Sequence, residues 1–270
     1  MRLNPLRWIL YKDLNNLILI RLCRIFFAYM YVIIDIGNTL TKVATFEGDR
    51  MLQLSKLKDS EVITYIDEYK LYSGLISTVR NGELTHNIQK SCTSFLSFKT
   101  SLKLPIQLDY QTLKTLGKDR IANAVGAHFM YPNISNLVID LGTCITYDFI
   151  DKRGVFQGGS ISPGMGLRYK SLNQYTATLP LVNPTGSTPK LIGKSTEKSI
   201  RSGVENGVLF EVIETINQYK SIFKELNVLI TGGDSLLLKS IVEYEKNGIF
   251  AVENLTLIGL NQILKENVKG

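Results

Sequence analysis

One pattern occurs twice in this chain, about a hundred residues apart, and it limits the possible folds more than any other feature. An apolar run, Tyr31, Val32, Ile33 and Ile34, ends in Asp35; Gly37 and Asn38 then give a turn signal, and residues 40–46 alternate Thr41, Val43 and Thr45 with Lys42, Ala44 and Phe46. This spacing predicts a β-hairpin. The second copy runs through Leu137, Val138 and Ile139 to Asp140, turns at Gly142 and continues as a strand over residues 143–150. A repeat of this size suggests two related α/β domains, each opening on a hairpin whose turn carries an acid and a glycine, rather than a short-period solenoid. The cleft between them is then the natural ligand site.

Strand and helix patterns alternate through the rest of the chain, as α/β folds require. Helices are expected over residues 60–70 and 84–96, and strands over 71–77 and 104–108. The stretch 119–131 has apolar or small residues at Ile121, Ala124, Val125, Ala127 and Phe129 and is closed by Pro132, so it reads as a helix with Asp119 and Arg120 at its start. A long amphipathic helix is expected over 197–219, a buried strand over 228–230, a turn at Thr231-Gly232-Gly233-Asp234 into a helix over 235–244, and a last helix over 255–265. The implied division is an extension over 1–29, a first domain over 30–118 and a second over 119–270. No low-complexity linker separates the two halves, so they should be tightly coupled.

Composition narrows the class. The 270 residues are 44% hydrophobic and 20% charged, as in globular chains. Cys23, Cys92 and Cys144 form no CxxC pair, which fits a reducing cytoplasm better than a disulfide framework. Of the formal charge of +7, the first 29 residues hold +4, since Arg2, Arg7, Lys12, Arg21 and Arg24 stand against Asp13; the body therefore holds +3. It has no stripe of basic and aromatic residues, which argues against a nucleic-acid partner. The apolar stretches before residue 34 are interrupted by Arg21 and Arg24 and fall short of the ~20 residues a membrane span needs, so no membrane role is expected either. Met30, directly before the first strand, is the favoured true start; an additional surface helix over 1–29 is the alternative. His86 and His128 have no evident metal-ligating partner.

The run Asp35-Ile36-Gly37-Asn38-Thr39-Leu40-Thr41-Lys42 has the chemistry of a phosphate cradle. Its glycine lets backbone amides approach an anion, its threonines add hydroxyl donors, and Lys42 adds a point charge. Asp35 would hold Mg²⁺ through water, because magnesium dehydrates reluctantly and takes one or two carboxylates plus phosphate oxygens. Taken alone the run is equally an ordinary hairpin. The second copy, Asp140-Leu141-Gly142-Thr143-Cys144-Ile145-Thr146, would face the same polyphosphate from the opposite domain, and Thr231-Gly232-Gly233 offers either a flat surface for adenosine or a plain strand-to-helix turn. This layout resembles the actin-like ATPase group, which includes sugar and acetate kinases, and implies two ribonuclease H-like domains with the active site in the interdomain cleft.

Further residues narrow the acceptor: Tyr110, then Gly117-Lys118-Asp119-Arg120, then Gly158-Gly159 with Ile161, Pro163 and Gly164, then Leu179-Pro180, and Thr196 ahead of a helix containing Gly203. Their order and spacing resemble type III pantothenate kinases from Met30 to near the C-terminus. The resemblance implies ATP-dependent phosphorylation of pantothenate to 4'-phosphopantothenate, the opening step of coenzyme A synthesis. It also implies that Asp119 accepts the hydroxyl proton while Gly117, Lys118 and Arg120 hold the acceptor. Tyr110 would contact pantothenate, Thr196 would reach it across a homodimer interface, Thr143 would contact ATP, and Asp140 would bind K⁺ or NH₄⁺. Without the family context, Asp119-Arg120 could be a helix cap with a surface ion pair, Tyr110 an aromatic at a strand end, and Thr196 an N-cap. Cys144 stands where the family more often has alanine and is expected to be a small buried packing residue; Lys118 is the variable member of its motif. A regulatory homologue of the same fold, or a kinase for another small acceptor, are the competing readings. The intact Asp35, Asp119, Arg120 and Asp140 favour the enzyme.

Overall fold

The computed structural model describes residues 30–37, 40–68, 73–78, 80, 83–91, 94–99, 101–184, 189–233 and 248–268. Asn38 and Thr39 of the first turn, Asp234, the helix expected over 235–244, Cys23, Cys92 and the whole of 1–29 lie outside them. In chain order the elements are β1 (Met30–Ile36), β2 (Thr41–Glu47), β3 (Arg50–Leu57), α1 (Asp59–Glu68), β4 (Ser73–Thr78), α2 (Glu83–Ser91), β5 (Ser94–Ser97), β6 (Gln107–Leu108), α3 (Lys118–Met130), β7 (Ser135–Leu141), β8 (Cys144–Ile150), β9 (Val155–Pro163), α4 (Met165–Gln174), α5 (Thr196–Arg201), α6 (Gly207–Ile222), β10 (Leu226–Gly232), β11 (Ile249–Ala251) and α7 (Leu255–Val268).

The repeat is structural. One sheet has the order β3-β2-β1-β4-β5 and the other β11-β10-β7-β8-β9-β6, so β7, β8, β9, β10 and β11 occupy the places that β1, β2, β3, β4 and β5 hold in the first. In both, the first three strands run antiparallel and the later two join in parallel. The continuous apolar runs are explained by position: Val32, Ile33 and Ile34 of β1, and Leu137, Val138 and Ile139 of β7, are buried because each strand is central with both faces covered. β6, although it precedes the second copy in sequence, pairs with β9 and so extends the second sheet.

Between the sheets lies a shared layer. Ile33, Phe46 and Leu75 from the first sheet and Ile150 and Phe156 from the second pack with Ile121, Ala124 and Val125 of α3 and Leu257, Leu260 and Ile263 of α7 in one cluster. Helices α3 and α7 cross at glycines, since a Cβ on Gly259 would lie 1.8 Å from the Ala122 carbonyl oxygen and one on Gly126 would lie 2.8 Å from Leu255. Among the described residues no helix is long and apolar enough to cross a membrane.

Several expected boundaries move. The helix expected over 84–96 ends at Ser91, and Ser94–Ser97 is instead strand β5. Phe95 is buried opposite Gly74 of β4, where a side chain would lie 2.8 Å from the Phe95 ring, so tertiary burial overrides the helical reading. The strand expected over 104–108 pairs only at Gln107–Leu108. The helix expected over 197–219 is continuous but passes through a π turn at Ser202–Asn206, so α5 and α6 are its two arms. Sequence reading missed β3, β9, α4 and β11. The glycines of β9 masked it: Gly159 sits so near β8 that a Cβ would be 1.6 Å from the Tyr147 carbonyl oxygen.

Candidate active site

The two acids of the repeat lie at matching strand ends. Asp35 is flanked in the sheet by Lys42 of β2 and Ser77 of β4, while Asp140 is flanked by Thr146 of β8 and Thr231 of β10. Burial pushes the Asp35 carboxyl from 3.8 up to about 6; Lys42 and a hydrogen bond from Ser77 pull it down, and repulsion from Asp119 and Asp140 adds to the rise. Burial also raises Asp140, against a hydrogen bond from Asn123 and attraction to Lys42, with Asp119 again repelling. Three carboxylates from β1, α3 and β7 therefore sense one another, and Lys42 answers two of them.

Helix α3 starts at Gly117, in extended geometry (φ −58, ψ 134) and without a side-chain cap. With no side chain at Gly117 to cap the helix, Asp119 Oδ1 accepts from the Arg120 backbone N–H of the first turn at 2.9 Å. The surface ion pair considered for Arg120 is absent. Its side chain is 6% exposed and donates through Nε to Asp148 Oδ1 at 2.7 Å, with a second guanidinium nitrogen 2.6 Å from the same oxygen. The guanidinium lies 5.8 Å from the ring centroids of Tyr110 and Phe156, and the Tyr110 ring rests on Gly158, where a Cβ would lie 3.2 Å from the ring and the φ of +92 would strain any L side chain. Tyr110, Gly158, Arg120 and Asp148 therefore form one wall. Lys118 Nζ donates to the Thr78 carbonyl at 3.4 Å, joining the acceptor motif to the end of β4.

The turns differ in detail from what the sequence suggests. In the first, the Gly37 N–H donates to the Leu40 carbonyl at 3.2 Å, and Ile36 is buried while Leu40 is exposed. Thr41 is fully buried and donates to Asp59 Oδ1 at 3.0 Å, so its hydroxyl anchors the turn to α1 and is not a free phosphate donor. In the second, Gly142 and Thr143 are exposed, and Gly164 supports them by donating its N–H to the Thr143 carbonyl at 3.1 Å. Gly232 (φ +108) lies against Leu141, and the Gly233 N–H donates to the Leu141 carbonyl at 3.1 Å. The Thr231-Gly232-Gly233 turn is thereby brought beside the second acid. Cys144 corrects an expectation: it is exposed, because the first residue of β8 stands at the turn itself. Thr196 is exposed at the start of α5, and the N-cap there is Ser195, which accepts from the Lys198 N–H at 3.3 Å.

Sequence reading missed Ser77, Asn123, Asp148 and Thr256. Asn123 alone had a visible signal, since it follows Asp119 by one helical turn and so shares its face. Among the described residues no group of three or more His, Cys, Asp or Glu side chains is gathered to hold a metal alone. Asp35 and Asp140, carboxylates at matching strand ends, are hard oxygen donors of the kind that suits a magnesium ion whose remaining ligands are phosphate oxygens and water.

Comparison with known proteins places the chain in a family. The family model for type III pantothenate kinase matches residues 31–218. A type III pantothenate kinase of Cytophaga hutchinsonii is 42% identical, with 88% of this chain and 100% of the relative covered. One of Christiangramia forsetii is 41% identical over 88% of this chain and 99% of its own. Among solved structures, a Baf family protein of Campylobacter jejuni, described as a transcriptional activator, superposes with a TM-score of 0.57 at 22% identity, covering 87% of this chain and 98% of that one. A ROK family glucokinase of Streptomyces griseus, solved with glucose and AMPPNP, gives 0.51 at 12% identity, covering 88% and 99%. These two show the α/β fold alone; the family match and the relatives near 40% identity show that this chain belongs to the type III pantothenate kinase family.

Proposed function

We propose that this chain transfers the γ-phosphoryl group of ATP to the hydroxyl of pantothenate, giving ADP and 4'-phosphopantothenate, the first step of coenzyme A biosynthesis. Family membership supports the reaction, and what supports the residue assignments is that Asp35 and Asp140 stand at matching strand ends of the repeat, each within electrostatic reach of Asp119 and Lys42. In this reading residues 30–118 and 119–270 form two ribonuclease H-like domains, except that β6 (Gln107–Leu108) joins the second, and the nucleotide lies between their acid-bearing turns.

Asp119 is the proton acceptor. As the pantothenate oxygen bonds to the γ-phosphorus and the bond to the ADP oxygen breaks, the hydroxyl proton passes to the Asp119 carboxylate, while alignment and charge neutralisation supply most of the rate. Tyr110, Gly117, Lys118 and Arg120 form the acceptor wall, and Arg120 is held from behind by Asp148. Gly37, Asn38, Thr39, Leu40 and Lys42 of the first turn and Thr143 of the second bind the phosphates, while Thr41 anchors the first turn to α1. Asp35 would hold Mg²⁺ and Asp140 a monovalent cation, K⁺ or NH₄⁺; when bound, these ions neutralise the charge that builds on the phosphoryl oxygens. Thr196 is exposed as a residue contributed to a partner's site must be, and a cytoplasmic homodimer acting on small molecules, with no nucleic-acid or membrane partner, completes the reading.

The test is ADP release by the purified protein with Mg·ATP and K⁺, offered pantothenate, a panel of sugars, or acetate. ADP formation dependent on pantothenate is the expected result. Turnover with a sugar or acetate instead would move the acceptor assignment, and no turnover with any acceptor would favour a regulatory homologue.

A further inference from the structure

We infer that Asn123 and Thr256 are positioning residues for Asp140, so that the C-terminal helix α7 orients a carboxylate of the nucleotide site. This rests on the site reading above. Asn123 is 1% exposed; its Nδ2 donates to Asp140 Oδ2 at 3.0 Å, and its Oδ1 accepts from the Thr256 hydroxyl at 2.8 Å. The direction of this relay follows from chemistry: a carboxylate only accepts, so the amide nitrogen must face Asp140 and the amide oxygen must face the hydroxyl. With Oδ2 tethered, Oδ1 is the atom turned towards the Gly142 turn, where a side-chain carbon on Gly142 would lie 3.4 Å from it.

The relay exists because of how α7 is held. Asn254, with a left-handed φ of 59, turns the chain into α7, and the Gly126–Gly259 crossing lets the helix approach α3 closely. Thr256 and Asn123 each precede their crossing glycine by one helical turn, so the contact that packs the helices also joins the two side chains. On α3, Asn123 stands one turn after Asp119. A single helix therefore presents the proton acceptor and the group that orients the opposing carboxylate. Buried partners that orient a ligand-bearing side chain commonly change affinity for the bound ion by an order of magnitude when removed.

The experiment uses the full chain and its variants Asn123→Leu, Thr256→Val and Thr256→Ser. It measures the Kd of Mg·ATP by calorimetry, the K⁺ concentration giving half-maximal binding, and KM for pantothenate, with melting temperature as a check on folding. Asn123→Leu is expected to weaken Mg·ATP and K⁺ by roughly 10-fold, and Thr256→Val by roughly threefold because one neutral hydrogen bond is lost. KM for pantothenate should stay near the parent's, and Thr256→Ser should restore binding. Binding constants unchanged in Thr256→Val, or no restoration by Thr256→Ser, overturn the inference even if the melting temperature falls, since that leaves a merely structural contact. A parent that binds Mg·ATP but leaves pantothenate unphosphorylated sinks the acceptor assignment and not this one, whereas a parent that binds no Mg·ATP overturns both.

Discussion

At the scale of single residues, chemistry is set by what surrounds each carboxylate. Asp119 has only the Arg120 amide as its recorded hydrogen-bond partner among the described residues, which leaves the carboxylate available to an incoming hydroxyl. Asp119→Asn should lower kcat by on the order of 10²–10⁴, the usual contribution of a positioned proton acceptor, while the Kd of Mg·ATP stays close to the parent's. Retention of normal turnover in that variant would remove Asp119 from the mechanism. Asp35 is a case of linkage. Its folded pKa of about 6 lies above the ordinary 3.8, so the native state holds this proton more tightly than the unfolded chain does. The stabilisation from that proton is complete below pH 3.8 and is lost as pH rises through 6. Asp35→Asn, a neutral stand-in, should therefore stabilise the ligand-free protein at pH 8 by on the order of 1–2 kcal/mol, and the gain should vanish near pH 4. Urea unfolding at both pH values checks the sign. The same variant should weaken Mg·ATP at pH 8, and the parent should lose Mg·ATP affinity as pH falls below 6.

Elements bring these residues together through close contacts that only small side chains permit. The α3–α7 crossing is the clearest, since a Cβ on Gly259 would lie 1.8 Å from the Ala122 carbonyl oxygen. Gly259→Ala would push the two helices apart or strain the chain, and should cost roughly 1–3 kcal/mol, the usual penalty for overpacking; denaturant unfolding measures it directly. Because Thr256 rides on the same helix, this variant should also weaken Mg·ATP, whereas an overpacking change far from the relay should affect stability alone. The Arg120–Asp148 contact behaves differently. Both partners are buried, so Asp148→Asn leaves a buried guanidinium without its counter-charge and should destabilise the fold by about 3–5 kcal/mol. The alternative of a surface ion pair for Arg120 is removed by this contact, and the sequence could not show it, since nothing local to residues 117–120 indicates that a strand twenty-eight residues later supplies Asp148.

For the whole molecule, each sheet packs one face against its own helices, Val32 and Ile34 with Val62 and Ile66 of α1 in the first and Leu137 and Ile139 with Val208 and Val212 of α6 in the second, but the two sheets share the layer between them. Phe46 and Leu75 of one and Phe156 and Ile150 of the other meet the same residues of α3 and α7. Unfolding of the described body should consequently be a single transition, in which near-UV and far-UV signals change together and the calorimetric and van't Hoff enthalpies agree. Two separated transitions would show that the halves melt independently. Mg·ATP, by binding across both turns, should raise the single midpoint rather than split it.

Features that depend on neighbours along the chain could be read from the amino-acid order alone. Asp35 and Asp140 at the ends of apolar runs, the hairpins after them, and Asp119 at a helix start were all legible, because strand period, turn glycine and helix entry are local properties. Tertiary structure decided what depends on partners far away in sequence. It buried Arg120 against Asp148, turned Thr41 from the phosphate turn to Asp59, exposed Cys144, made a strand of residues 94–97, and set Thr256 beside Asn123. Each is a pairing across strands or helices, and its free energy comes from burial and hydrogen bonding that exist only once the chain has closed on itself.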